Sequence, residues 1–80
     1  MNLWDVLPSR KAIVKGFDPL MSVDIQNRLM DLGFSKNAVV ECVRHTQFSG
    51  PRVFLVHQTL YALEKSLAEL IDAEHVQESL

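Results

Sequence analysis

The side chains of this 80-residue chain that could do chemistry are one cysteine and three histidines. Cys42 and His45 are three residues apart, so on a helix they would lie one turn apart and could touch. A cysteine nucleophile also needs a group that orients its histidine and donors that stabilise an oxyanion, and the sequence indicates neither. The cysteine and histidines are also too few for a metal site and do not have a ligand spacing. We therefore predict a non-catalytic chain with no metal or other cofactor.

A short stretch, Leu32-Gly33-Phe34-Ser35, separates two segments that have the periodicity of amphipathic helices. The first predicted helix spans residues 19–31, with Ser22 as an alternative N-cap, and Gly33 suits its end because glycine accepts a positive φ. Ser35 is a suitable N-cap for the second, residues 36–47. Phe34 lies in the joint between the two helices. It either fills the core or faces a partner, and the sequence leaves both alternatives open.

A third and longer helix is predicted over residues 51–74. Its apolar residues recur in steps of three and four, as in an a/d stripe: Val53, Val56, Leu60, Leu63, Leu67 and Leu70. At 1.5 Å per residue this helix would be roughly 36 Å long, about twice the length of the other two. Its second half therefore needs a cover, which is either the N-terminal segment with Trp4 and Phe17 or a second chain.

These segments together predict an all-α fold, a compact three-helix bundle with a long third helix and a short extra helix over residues 10–15. We expect residues 1–17 to pack on the bundle or to act as a linker, residues 18–75 to form the helical domain and residues 76–80 to fray. No apolar run is long enough to span a membrane, and a single cysteine suits a reducing compartment, so a cytoplasmic or nuclear location is expected. The net charge of −2 and the acidic third helix argue against nucleic acid as a partner.

Residues 25–46, IQNRLMDLGFSKNAVVECVRHT, resemble the ubiquitin-associated (UBA) domain family. In that family a first helix ends in Met/Leu-Gly-Phe/Tyr, a serine caps the next helix, and that helix carries small and aliphatic residues before a threonine. The stretch Leu32-Gly33-Phe34-Ser35 matches the loop, and the second helix matches at Val40, Glu41, Val43, Arg44 and Thr46. Within the family, residues 47–50 and 68–74 are most similar to the UBA domains of inhibitor-of-apoptosis ubiquitin ligases.

The resemblance implies a protein-interaction domain of the ubiquitin pathway that binds ubiquitin, polyubiquitin or a ubiquitin-like protein. Carried over by position, it places the contact at Leu32, Gly33, Phe34, Leu60, Leu63 and Glu64. The N-terminal segment and the long third helix depart from the family pattern and could cover the surface that ubiquitin would need. The alternative hypothesis is therefore a UBA-like domain that forms a homodimer or binds a second protein through helix three, without binding ubiquitin.

Overall fold

A five-stranded antiparallel sheet forms the body of this chain in a computed structural model, which describes residues 1–48 and 50–77. The strands are β1 (Lys11–Phe17), β2 (Val39–His45), β3 (Arg52–Val56), β4 (Thr59–Leu63) and β5 (Ile71–His75). They are arranged in the order β4-β3-β2-β1-β5 across the sheet. The other elements are two helices, α1 (Val23–Leu32) and α2 (Lys65–Ala68), and a 3-10 turn at Leu3–Asp5. The predicted all-α three-helix bundle is therefore wrong.

The segment predicted as the second helix, residues 36–47, forms β2 instead. Its β-branched valines favour a strand, because side chains branched at Cβ pack well on a pleated surface. Alternate residues point inward: Val40 and Cys42 are fully buried, whereas Val39 is 53% exposed. Val40 is paired with Ala12 of β1 and Cys42 with Phe54 of β3, so β2 is the central strand. The short helix predicted over residues 10–15 is likewise wrong, since that segment lies in and next to β1.

The long third helix predicted over residues 51–74 is replaced by β3, β4, α2 and β5. The helix-like spacing of its apolar residues has two causes. β3 is buried on both faces, since the neighbouring residues Val53 and Phe54 are both buried. A tight turn after β3 then changes which residues of the following strand point inward. That turn consists of His57 and Gln58, both with positive φ (47° and 67°), as in the type I′ turns of two-residue hairpins. Neither residue is glycine, so the sequence lacks the usual hairpin signal.

α1 begins at Val23, so the start predicted at residue 19 is wrong, whereas the alternative N-cap at Ser22 and the stop at Gly33 are confirmed. Ser22 is the N-cap, and its hydroxyl oxygen accepts a hydrogen bond from the N–H of Ile25 (3.3 Å). Gly33 ends the helix with φ 113°, and its N–H donates to the carbonyl of Met30 (3.0 Å). All of these contacts are local in sequence, which is why the sequence alone predicts them.

The core combines side chains from the sheet, from the loop after α1 and from the N-terminal segment. The largest fully buried side chains are Leu3, Val6, Val14, Phe34, Val40, Cys42, Phe54, Val56 and Ile71. Two polar side chains attach the N-terminal segment to the sheet. The Arg52 guanidinium lies 3.8 Å from the centroid of the Trp4 ring and donates to the Trp4 carbonyl. The Nε2 atom of His45 is hydrogen-bonded to the carbonyl of Val6 (3.0 Å).

The boundary predicted between residues 17 and 18 falls at the end of β1, which is paired with both β2 and β5. The helical domain predicted over residues 18–75 is replaced by the larger part of the sheet. In the tail that was predicted to fray, the N–H of Val76 donates to the carbonyl of Lys11 (3.0 Å), and residues 78–80 lie outside the described residues. Within residues 1–48 and 50–77, neither helix is long and apolar enough to cross a membrane.

Candidate functional site

Most of the partner contact predicted at the loop after α1 lies inside the protein. Phe34 is fully buried, and its ring meets the ring of Tyr61 edge to face, with 5.7 Å between the centroids. Gly33 is buried beneath the β3–β4 turn, where an added Cβ would lie 2.7 Å from Cγ1 of Val56. Leu32 keeps a partly exposed side chain. Of the two alternatives for Phe34, the structure therefore supports the one in which it fills the core.

The remaining predicted contact residues belong to β4 and to the start of α2. Leu63 is buried, whereas Leu60 is exposed, because residues three apart in a strand point to opposite faces. Glu64 is the exposed N-cap residue of α2. With Gly33, Phe34 and Leu63 buried, the six predicted contact residues do not form one continuous exposed surface.

Cys42 and His45 are the pair considered for nucleophilic chemistry, and both have the contacts of structural residues. Burial raises the pKa of the Cys42 thiol; the positive charge of Arg52 opposes this effect and the negative charge of Glu41 adds to it. A raised pKa keeps the thiol protonated and poorly nucleophilic. His45 bonds to a backbone carbonyl of the N-terminal segment. In the part of the chain that the structure describes, no three His, Cys, Asp or Glu side chains are grouped to hold a metal ion.

The most distinctive exposed surface surrounds α1. Five large apolar side chains there are exposed to solvent; we call them the α1 surface: Leu20, Val23, Ile25, Met30 and Leu32. Leu20 is 84% exposed and Val23 is 68% exposed. Single exposed apolar residues are ordinary on protein surfaces, but several on the two flanks of one short helix make that helix a candidate interaction site.

The exposure of the α1 surface follows from how α1 is seated. Each residue turns 100° about a helix axis, so residues seven apart lie on nearly the same side. Leu29 is the one buried residue of α1. Ile25 and Leu32 occupy one flank beside Leu29, and Val23 and Met30 occupy the other. The helix therefore buries only a narrow stripe and presents apolar side chains on both sides of it.

Leu20 is held outside the core by the turn that precedes α1. The carboxylate of Asp18 accepts a hydrogen bond from the N–H of Leu20 (2.9 Å), and the Asp18 carbonyl accepts one from the N–H of Met21 (3.0 Å). Met21 is buried, and its own carbonyl accepts a hydrogen bond from the side-chain amide of Gln26 (2.9 Å). These contacts fix Met21 inward and Leu20 outward at the start of the helix.

Sequence reasoning missed the α1 surface because it followed only the apolar residues spaced three and four apart, which form one helical face: Met21, Ile25, Leu29 and Leu32. The sequence does carry a signal for this surface, which is the width of the sector around the helix axis that is occupied by apolar side chains. Val23 and Met30 lie well away from the side that carries Ile25, Leu29 and Leu32, so a single core contact cannot cover them all. An apolar arc this wide indicates a helix that packs on its own core and has further apolar surface to contact a partner.

Several solved structures of FeoA proteins are similar to this chain in fold. The FeoA protein of Chlorobium tepidum is similar with a TM-score of 0.87 and 21% identity, over 100% of this chain and 74% of that chain. FeoA of Stenotrophomonas maltophilia, solved with zinc and described as a prokaryotic SH3 domain protein suggested as a ferrous iron transport activating factor, has a TM-score of 0.80 and 29% identity. That match covers 92% of this chain and 89% of the other. Iron(II) transport protein A of Clostridium thermocellum is similar with a TM-score of 0.86 and 26% identity, over 95% of this chain and 46% of that chain.

These comparisons overturn the resemblance to the UBA family. Residues 25–46 form most of α1, a loop and β2, and not the two helices that a UBA domain requires. Ubiquitin and polyubiquitin are therefore wrong as partners, and so is association through helix three, because no such helix forms. No curated protein matches the sequence. The FeoA domain model matches residues 1–75. The chain therefore belongs to the FeoA domain family.

Proposed function

We propose that this protein is an accessory factor of ferrous iron transport that acts by docking onto another protein through its α1 surface. Membership of the FeoA family over residues 1–75 supports the process, as does the likeness to a protein described as an iron(II) transport protein. The observation that carries the docking role is the exposure of five large apolar side chains around one ten-residue helix.

Docking fits the chemistry of the chain better than handling iron directly. Among residues 1–48 and 50–77, no group of three His, Cys, Asp or Glu side chains is placed to hold a metal ion. Cys42 is buried in the core, so its thiol is not offered to iron from solvent. The proposal therefore keeps the expectation of a non-enzymatic protein and assigns the handling of iron to the partner.

The α1 surface has the composition of a docking site. Full burial of each apolar side chain is worth roughly 1.5–3 kcal/mol, although much of that gain is offset by the entropy lost on association. Polar side chains, Asp24, Asn27, Arg28 and Asp31, cover the opposite side of α1 and keep it hydrated. Leu20 and Val23 are the most exposed members, so they can contribute to binding while contributing little to folding.

Iron uptake tests this proposal directly. A strain of the source organism that lacks this protein is complemented with the wild type or with Leu20→Ser/Val23→Ser, and uptake of radioactive ferrous iron is measured. We expect the double variant to lose most of the uptake that the wild type restores, with an unchanged melting temperature of the purified protein. Leu7→Ser is the matched control, because Leu7 is also an exposed leucine (58%) but lies in the N-terminal segment.

Two results would contradict the proposal. Full uptake with Leu20→Ser/Val23→Ser would mean that the α1 surface is not the docking site. Tight binding of ferrous iron by the purified protein alone, seen by calorimetry, would mean that the chain handles iron itself. The cytoplasmic location expected from the sequence remains part of the proposal, and detection of the protein in a membrane-free cell fraction would test it.

A further inference from the structure

The two edge strands of the sheet, β5 and β4, differ in how well they are protected from pairing with another chain. The edge formed by β5 carries the acidic residues Asp72 and Glu74 and is covered by the first residues of the chain. The N–H of Ala73 donates to the carbonyl of Met1 (2.9 Å), and Asn2 forms an isolated bridge with Asp72. Charge and a covering segment are two of the ways in which natural proteins prevent an edge strand from pairing with another chain. The β5 edge is thus protected.

Within residues 1–48 and 50–77, the β4 edge has neither of these protections. Its sequence, Thr-Leu-Tyr-Ala-Leu, contains no charge and no proline. The register with β3 is regular from the Arg52–Leu63 pair to the Val56–Thr59 pair, so no bulge twists the strand away. Among the described residues, no backbone hydrogen bond joins β4 to any element except β3. An edge of this kind is a template for another strand.

The geometry of the hairpin identifies the backbone groups that are free. Val56 and Thr59 close the two-residue turn, so they form a hydrogen-bonded pair. Hydrogen-bonded and non-hydrogen-bonded pairs alternate along antiparallel strands, so the backbone N–H and C=O groups of Leu60 and Ala62 point away from β3. Both residues are exposed. The free groups therefore belong to two residues that flank Tyr61.

We propose that β4 pairs in antiparallel fashion with β4 of a second copy of this chain, about a two-fold axis that passes through Tyr61. In this register Leu60 lies opposite the partner's Ala62, and Ala62 lies opposite the partner's Leu60. Each of these two pairs is of the hydrogen-bonded type, so about four backbone hydrogen bonds form between the chains. Leu60 and Ala62, whose backbone groups point outward, lie on either side of Tyr61. The edge is therefore complementary to itself, as a two-fold interface requires.

The side chains at this edge also suit a second copy. Leu60 lies on the outer face of the sheet beside Leu55 of β3, with which it is paired. In the dimer Leu60, which is 53% exposed, packs next to the partner's Ala62 and loses part of its contact with water. No charge lies within β4, so two copies meet without repulsion.

The size of the contact sets its strength. Five residues per chain form the paired strand, whereas a stable interface uses roughly 20–30 residues a side. The dimer is therefore weak and forms as the protein concentration rises. It does not rest on the docking role of α1, and Leu20→Ser/Val23→Ser leaves it unchanged.

Sedimentation velocity of the full chain tests the proposal. The protein concentration is varied from about 10 µM to about 1 mM, which is the range in which weak dimers form. The mass is expected to rise from 9.1 kDa toward twice that value. Ala62→Pro removes one outward N–H per chain, and proline is tolerated on edge strands, so the fold persists while dissociation becomes at least about tenfold easier. In a sample of mixed labelled and unlabelled protein, NMR contacts between Leu60 of one chain and Ala62 of the other are expected.

A matched pair of variants separates edge pairing from general loss of apolar surface. Leu60→Lys introduces a charge at the edge and is expected to abolish the dimer. Val39→Lys is the control, because Val39 is equally exposed (53%) but lies on the central strand and should leave the dimer intact. A mass that stays at 9.1 kDa over the whole range of protein concentrations overturns the proposal. It does so even if an extended peptide of another protein is found to bind the β4 edge. A dimer that survives both Ala62→Pro and Leu60→Lys also overturns it.

Discussion

Gly33→Ala is expected to destabilise the protein strongly, because two penalties coincide at this position. Gly33 has φ 113°, in the region that costs a residue with a side chain about 1–2 kcal/mol. The added Cβ would also lie 2.7 Å from Cγ1 of Val56 and against the ring of His57, so the β3–β4 turn would have to move. Overpacking of this kind costs roughly 1–3 kcal/mol. The expected loss in free energy of unfolding is therefore about 2–5 kcal/mol.

Urea and thermal unfolding followed by circular dichroism measure this loss. A domain of this size has about 5–15 kcal/mol of total stability, and the melting temperature should fall by roughly 10–30 °C. Gly16→Ala is the matched control. Gly16 also has a positive φ (156°), but no atom lies within 4 Å of an added Cβ, so only the backbone penalty applies. Adding His57→Ala to Gly33→Ala should relieve part of the steric penalty and so recover part of the lost stability.

Two outcomes would refute this reasoning. If Gly33→Ala is destabilised no more than Gly16→Ala, the β3–β4 turn does not pack on Gly33 as the structure has it. If Gly33→Ala stays within about 0.5 kcal/mol of the wild type, as ordinary surface substitutions do, neither penalty operates.

Three further substitutions test the core and its attachments by the same unfolding measurements. Phe34→Ala should lose roughly 3–5 kcal/mol because the ring is buried against Tyr61; a loss below about 1 kcal/mol would mean that Phe34 is not a core residue. Burial raises the pKa of the Cys42 thiol above its ordinary value of 9.0, so the unfolded thiol ionises at a lower pH than the folded one. The free energy of unfolding should therefore fall as the pH rises from about 8 to about 10, and fall less in Cys42→Ala; equal slopes would contradict this. Arg52→Met should lose about 1–3 kcal/mol and shift the fluorescence of Trp4, because it removes the cation–π contact and a charged hydrogen bond; unchanged emission would argue against the contact.

The parts of the fold that the sequence predicts correctly are those whose contacts are local. Ser22 caps α1 through an N–H three residues away, and Gly33 ends it through a carbonyl three residues back. Such interactions involve residue types with strong preferences at fixed spacing, so they are visible in the sequence.

The strands were predicted as helices because their apolar residues happen to follow a helical spacing. β3 is buried on both faces, and the hairpin turn at His57 and Gln58 has no glycine to mark it. The β-branched valines of β2 were a composition signal for a strand, and they are equally compatible with a buried helix. Periodicity cannot separate the two structures when a segment is short and apolar.

The candidate site shows the same limit. The sequence places Phe34 in a joint and leaves its burial open. It predicts one apolar face for the first helix, through Ile25, Leu29 and Leu32, and does not place Val23 or Met30. Only the seating of α1 on the core through Leu29 decides that Val23 and Met30 remain in solvent, and the turn before the helix keeps Leu20 there. Exposure is a property of the assembled chain, so a single-sequence pattern can only suggest it.

The sequence by itself therefore determined the existence of α1, its serine cap and its glycine stop. Tertiary structure alone decided the sheet, the burial of Phe34 against Tyr61 and the exposed flanks of α1. The physical reason is the range of the hydrogen bonds. A helix bonds each residue to one four positions away, whereas Val14 of β1 is paired with Ala73 of β5, far along the chain. Strand partners at such distances are selected by the packing of the whole core.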